Sequence, residues 1–107
     1  MKEIKAYIQP HKLDEVAGAL HRIEGLSGMS VSDIRGFGRG HKRYAQFQEF
    51  IPHIKLEIIC GDDMVEELVQ VIQRTAHTGL RGDGKIYVAE IVEAVRISTG
   101  ESGENAL

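Results

Sequence analysis

The chain has 107 residues, 42% of them apolar and 27% charged, with a net charge of −3. That length fits one domain with its own core, yet is small enough for oligomerisation to add stability. The acidic balance argues against a nucleic-acid surface, the apolar runs are too short for a membrane span, and the single cysteine, Cys60, has no partner for an internal disulfide.

The opening residues alternate: Ile4, Ala6 and Ile8 against Glu3, Lys5 and Tyr7, the period of a half-buried strand that stops at Pro10. This start lacks the charged region and apolar core of a signal segment, so export is not expected and a cytoplasmic protein is. From Lys12 the period changes to 3.6: Leu13, Val16, Ala17, Leu20 and Ile23 share one helix face, Asp14, Glu15, His21 and Arg22 the other, and Gly25 is a terminator. Met29, Val31 and Ile34 predict a second strand reaching Gly36. Gly36 to Ile51 fits neither period, is rich in Gly, Arg, His and Lys, and ends at Pro52, which marks an excursion rather than core. Ile54, Leu56, Ile58 and Cys60 form a third strand, with Cys60 read as a small buried hydrophobe. Asp62-Asp63 offers an N-cap for a second helix bearing Met64, Val65, Leu68, Val71, Ile72 and Thr75 on its apolar face. A fourth strand is expected over Lys85 to Glu90 and a short fifth extended piece over Val95 to Ile97. The order βαββαβ predicts an α+β, ferredoxin-like sandwich: an antiparallel sheet with both helices on one face. The sheet's second face would then need cover.

Thr78-Gly79-Leu80-Arg81-Gly82-Asp83-Gly84-Lys85 packs three glycines, an aspartate and two cations into one loop after the second helix. Glycine adopts positive φ and lets backbone N–H groups close on an anion, and Lys85 sets a cation beside them. The spacing is not that of a Walker loop. Alone, the segment reads equally well as a tight turn into a strand.

Further segments accompany it: Ile8-Gln9-Pro10-His11-Lys12-Leu13, Gly36-Phe37-Gly38-Arg39, Ala76-His77-Thr78-Gly79 and Arg96-Ile97-Ser98-Thr99-Gly100-Glu101. Together they resemble the PII signal-transduction family, trimeric nucleotide-binding sensors of nitrogen and carbon status, over nearly the whole chain. The resemblance implies a single domain over 1–107, with a shortened T-loop excursion at 40–51, a phosphate-binding loop at 78–85 and a C-terminal segment at 96–107. It implies a homotrimer, which would cover the second sheet face, and ATP, ADP or AMP bound between subunits, with Mg²⁺ as a companion. By position it assigns Gly82, Gly84 and Lys85 to the phosphates, with Gly38 and Arg39 from the base of the excursion. Ser30, Glu57 and Ile59 match positions near the adenine, and Arg96 is the arginine from the adjacent subunit. Asp83, of the wrong sign for phosphate, is read as ordering the turn. The implied role is regulatory, not enzymatic: a loop that engages a transporter, enzyme or regulator, with no nucleic acid and no membrane insertion.

Three departures modify that expectation. The excursion is about six residues shorter than the usual loop, a change loops tolerate, and Tyr44 lacks the context of the modifiable tyrosine. Gly40 and His53 stand where a glutamine and a lysine usually help hold Mg²⁺ and 2-oxoglutarate, which weakens binding of that diacid. Ser98 replaces a second C-terminal arginine, which predicts a reduced preference for triphosphate.

Two other classes compete. The five histidines suggest metal sensing, with His41 and His53 at the flanks of the excursion, but they are scattered and show no zinc-site spacing. A small ferredoxin-like phosphohydrolase would need an anion cradle beside a water-orienting amide, and Gln46 and Gln48 lie beside none.

Overall fold

A computed structural model describes residues 1–38 and 50–107. Its elements in chain order are β1 (Lys2–Ile8), α1 (Leu13–His21), β2 (Ser30–Gly36), β3 (Ile51–Cys60), α2 (Val65–Ala76) and β4 (Lys85–Glu90). The sheet order is β2-β3-β1-β4, and every pairing is antiparallel. The two central strands are thus β1 and β3, the two with the cleanest apolar alternation.

One face of the sheet builds the core. Ile4, Ala6 and Ile8 of β1 and Ile54, Leu56, Ile58 and Cys60 of β3 are buried together with Val16 and Leu20 of α1 and Leu68, Ile72 and Ala76 of α2. Both helices therefore lie on the same side, and the α+β, ferredoxin-like βαββαβ expectation holds. Burial raises the pKa of the Cys60 thiol, and the side chain behaves as a core hydrophobe.

Strand alternation sends Glu3, Lys5 and Tyr7, and likewise His53, Lys55, Glu57 and Ile59, to the opposite face. Lys5 sits directly across from Glu57, Lys55 across from Tyr7, and Tyr7 meets Tyr87 edge-on at 5.9 Å. This face is a ladder of paired charges bordered by tyrosines and isoleucines rather than a plain apolar surface.

Several expectations need correction. The Asp62-Asp63 pair does not cap α2. Residues 62–64 form a short helical turn of their own, and the Asp62 carboxylate instead accepts from the Met1 ammonium at 2.9 Å and pairs with Lys2 at 3.2 Å. Those cations hold the Asp62 pKa below the usual carboxylate range. Val95 to Ile97 is not a strand: Val95 makes one isolated bridge to Ser102, and Ile97 is fully exposed. The third strand begins at Ile51, earlier than its periodicity indicated, because the exposed Pro52 lies opposite Arg35 and interrupts the alternation without ending the ladder.

Gly18 lies inside α1, where an added Cβ would meet nothing within 4 Å. Gly18→Ala is expected to stabilise the fold by about 0.5–1 kcal/mol, through reduced freedom of the unfolded chain. A urea-melting comparison with an unchanged slope checks it.

Candidate functional site

The 78–85 loop is moulded on the end of β1. Gly82 and Gly84 take φ of 89° and 101°, and no residue other than glycine has positive φ among the described residues, so φ alternates in sign through Asp83. Such alternation turns successive N–H groups toward one concave side, the geometry of an anion nest. A Cβ on Gly84 would lie 1.7 Å from the Tyr7 carbonyl oxygen, so the backbone can pass there only as glycine.

Asp83 braces the loop from within. Its carboxylate accepts from the Thr78 backbone N–H at 2.8 Å and from the Thr78 hydroxyl, and His77 Nδ1 lies 3.5 Å away. The Thr78 hydroxyl in turn accepts from Leu80 N–H at 3.0 Å. The sequence reading of Asp83 as the residue that orders this turn agrees with these contacts. The hydrogen bonds from Thr78 hold the Asp83 pKa below its ordinary value. A depressed carboxylate contributes stability that is present above its unfolded pKa of about 3.9 and is lost as pH falls through the lower folded value. Loop amide protection, referred to the intrinsic exchange rate at each pH, is therefore expected to fall below about pH 4 in the native protein, and to lose that acid-dependent step in Asp83→Asn. Hydrogen exchange followed by mass spectrometry across 78–85 measures both.

Of the described residues assigned to the nucleotide from the sequence, all but Arg96 line one of two clefts. The larger, about 980 Å³, brings Gly82, Gly84 and Lys85 together with Gly36, Gly38 and His53. Tyr7 and Tyr87 form part of its wall, and Phe37, stacked edge-on to Phe50 at 5.6 Å, stands at its rim. The smaller, about 450 Å³, holds Ser30, Glu57 and Ile59 along with Leu107. Ser30 and Glu57 are cross-strand partners, which explains how residues so far apart in sequence share one wall.

Arg96 lines neither cleft, but its Nη2 donates at 2.9 Å to the carbonyl oxygen of Leu107, which lines the second. Ser30 and Gly36 mark opposite ends of β2, six residue steps or about 20 Å apart at strand rise. One protomer therefore carries two separated groups of candidate binding residues.

Arg39, Gly40, His41, Tyr44, Gln46 and Gln48 lie outside the described residues. His53 directs Nδ1 to the Ile51 carbonyl at 3.2 Å. Among the described residues no three His, Cys, Asp or Glu side chains converge as a metal centre. Sequence reasoning did not find Gln9, whose amide donates to the Gly82 carbonyl oxygen across 73 positions of chain. Its only signal was its place beside Pro10 in a segment that already carried the resemblance.

The comparisons with known proteins agree with this geometry. The family model described as nitrogen regulatory protein P-II matches residues 1–101. The chain is 50% identical to the nitrogen regulatory protein P-II of Bradyrhizobium diazoefficiens and 47% identical to that of Azospirillum brasilense, each over the full length of both chains. It is 45% identical to nitrogen regulatory protein P-II 1 of Escherichia coli K12, again over both full lengths. These alignments span 113 residues, six more than the chain has. The metal-sensing and phosphohydrolase alternatives gain no support from them. A nest-forming glycine loop, the βαββαβ sheet that carries it and full-length identity near one half converge on one conclusion: this chain belongs to the nitrogen regulatory protein P-II family.

Proposed function

We propose that the protein binds an adenine nucleotide in clefts between the subunits of a homotrimer and, through the excursion after β2, regulates a transporter, enzyme or regulator in the cytoplasm. The observation that carries this reading is the separation of the two residue groups. The loop residues Gly82, Gly84 and Lys85 form an anion-binding end, while Ser30, Glu57 and Ile59, with Arg96 nearby, form a second end about 20 Å along β2. A nucleotide that uses both must touch two protomers. Gly38 and Arg39 complete the phosphate end in this reading, and Mg²⁺ accompanies a bound triphosphate.

The two groups have suitable chemistry. Backbone N–H groups and the Lys85 ammonium favour oxyanions. Ser30 and Glu57 can exchange hydrogen bonds with an amino-substituted base while Ile59 packs on its plane. Nucleotide binding then favours one partner-binding state of the protein by differential affinity.

Isothermal titration calorimetry with ATP, ADP and AMP tests the reading, and silence across the panel would sink it. Because Ser98 offers no guanidinium, ATP and AMP are expected to bind with comparable affinity. Ser98→Arg is expected to favour ATP over AMP by on the order of 10-fold, the worth of one charge-assisted hydrogen bond. The role is regulatory, so phosphate release should stay far below a turnover of about 10 s⁻¹.

A further inference from the structure

We infer that Gln9 is a positioning residue for the anion-binding loop, holding the Gly82–Asp83 peptide in the orientation that presents the Asp83 N–H to a phosphate. The inference rests on the nucleotide reading of that loop and names what sets its geometry.

Gln9 is itself rigidly placed. It follows the last residue of β1, and Pro10 behind it confines its backbone to the extended region, where it has φ −67° and ψ 139°. Its carbonyl accepts from Lys12 N–H at 3.0 Å, which closes the turn into α1. Its side chain makes no cap bond to that turn and reaches instead across to the loop, where Nε2 donates to the Gly82 carbonyl oxygen.

The consequence follows from peptide planarity. In a trans peptide the C=O of one residue and the N–H of the next point in opposite directions. Gln9 therefore fixes the Asp83 N–H by holding the Gly82 oxygen. Among the described residues that N–H meets no backbone acceptor. A flip of the same peptide would exchange a donor for a carbonyl oxygen on the concave side and repel an anion. Glycine at 82, with φ of 89°, makes such a flip sterically easy, so the orientation needs a holder. The Asp83 carboxylate cannot serve, because it is engaged with Thr78. Tyr7, two residues before Gln9, confines Gly84 from the strand itself, its carbonyl oxygen leaving no room for a Cβ. The end of β1 thus shapes both glycines of the nest, one by steric contact and one by a hydrogen bond.

The test compares wild type with Gln9→Met, which keeps the length and loses the donor, and Gln9→Lys, which restores a donor. Calorimetry with ADP, adenosine and inorganic pyrophosphate is read beside thermal melts. Gln9→Met is expected to weaken ADP and pyrophosphate by roughly 5–10-fold, leave adenosine unchanged and melt with wild type. Gln9→Lys is expected to recover ADP binding. Equal ADP affinity in wild type and Gln9→Met would overturn the inference, as would a loss that extends equally to adenosine, the mark of a merely structural role. If wild type ignores ADP, the nucleotide reading fails while pyrophosphate still decides Gln9. A pyrophosphate response that Gln9→Met loses supports the inference, and one it keeps, or none in wild type, overturns it.

Discussion

Gly84→Ala is expected to destabilise the fold by on the order of 3 kcal/mol, with contributions from a strained positive φ and from a forced backbone collision. The alanine Cβ would sit 1.7 Å from the Tyr7 oxygen and 2.7 Å from its carbonyl carbon. The obstacle is backbone in a central strand, paired on both sides, so it cannot swing away as a side chain would. For a chain of this size the melting temperature should fall by roughly 10 °C or more. Gly79→Ala is the matched control, because it shares a positive φ of 84° but has nothing within 4 Å of the added atom. It should lose only about 1 kcal/mol. If the loop relieves the clash by refolding locally, Gly84→Ala keeps more of its stability and loses phosphate binding instead. Equal melting and equal binding in the two variants would show that the Tyr7 contact shapes nothing.

The core was legible because its two central strands are half-buried and therefore alternate strictly. Ile4, Ala6 and Ile8 and then Ile54, Leu56, Ile58 and Cys60 all lie on the helix side. What local pattern missed came from contacts distant in sequence. Asp62 has the chemistry of a helix cap, but the Met1 ammonium, 61 positions away, takes its carboxylate. Val95 to Ile97 has the composition of a strand, yet among the described residues no neighbouring strand offers it a ladder, and only one bridge forms.

The candidate site divides along the same line. The glycine loop announced itself, since positive φ at Gly82 and Gly84 leaves a mark in residue type. Ser30, Glu57, Ile59 and Arg96 carry no such mark and were reached through family resemblance alone. Their proximity depends on strand register and on the fold-back of the C-terminal segment, neither of which periodicity encodes. Gln9 acts across 73 positions of chain and was invisible until the loop it holds had a position.

The proposed division of the site between protomers of a trimer predicts complementation. Lys85→Ala removes the cation of the loop, and Arg96→Ala removes the guanidinium of the other group. Each homotrimer is expected to bind ADP on the order of 10–100-fold more weakly than wild type, the worth of a charge-assisted hydrogen bond to phosphate. Neither change should alter folding much, because both side chains are exposed. In a mixed trimer, however, a cleft that takes its loop from the Arg96→Ala chain and its arginine from the Lys85→Ala chain is wild type in both respects. Co-assembled variants are therefore expected to regain a class of sites with wild-type affinity, one such cleft per mixed trimer. Calorimetry on tag-purified mixed assemblies measures that class directly. Were the nucleotide held within a single protomer, every cleft would keep one defect however the chains were mixed, and no tight class would return. Complementation thus separates a site shared between chains from one merely assembled near their boundary, using two substitutions that leave the fold intact.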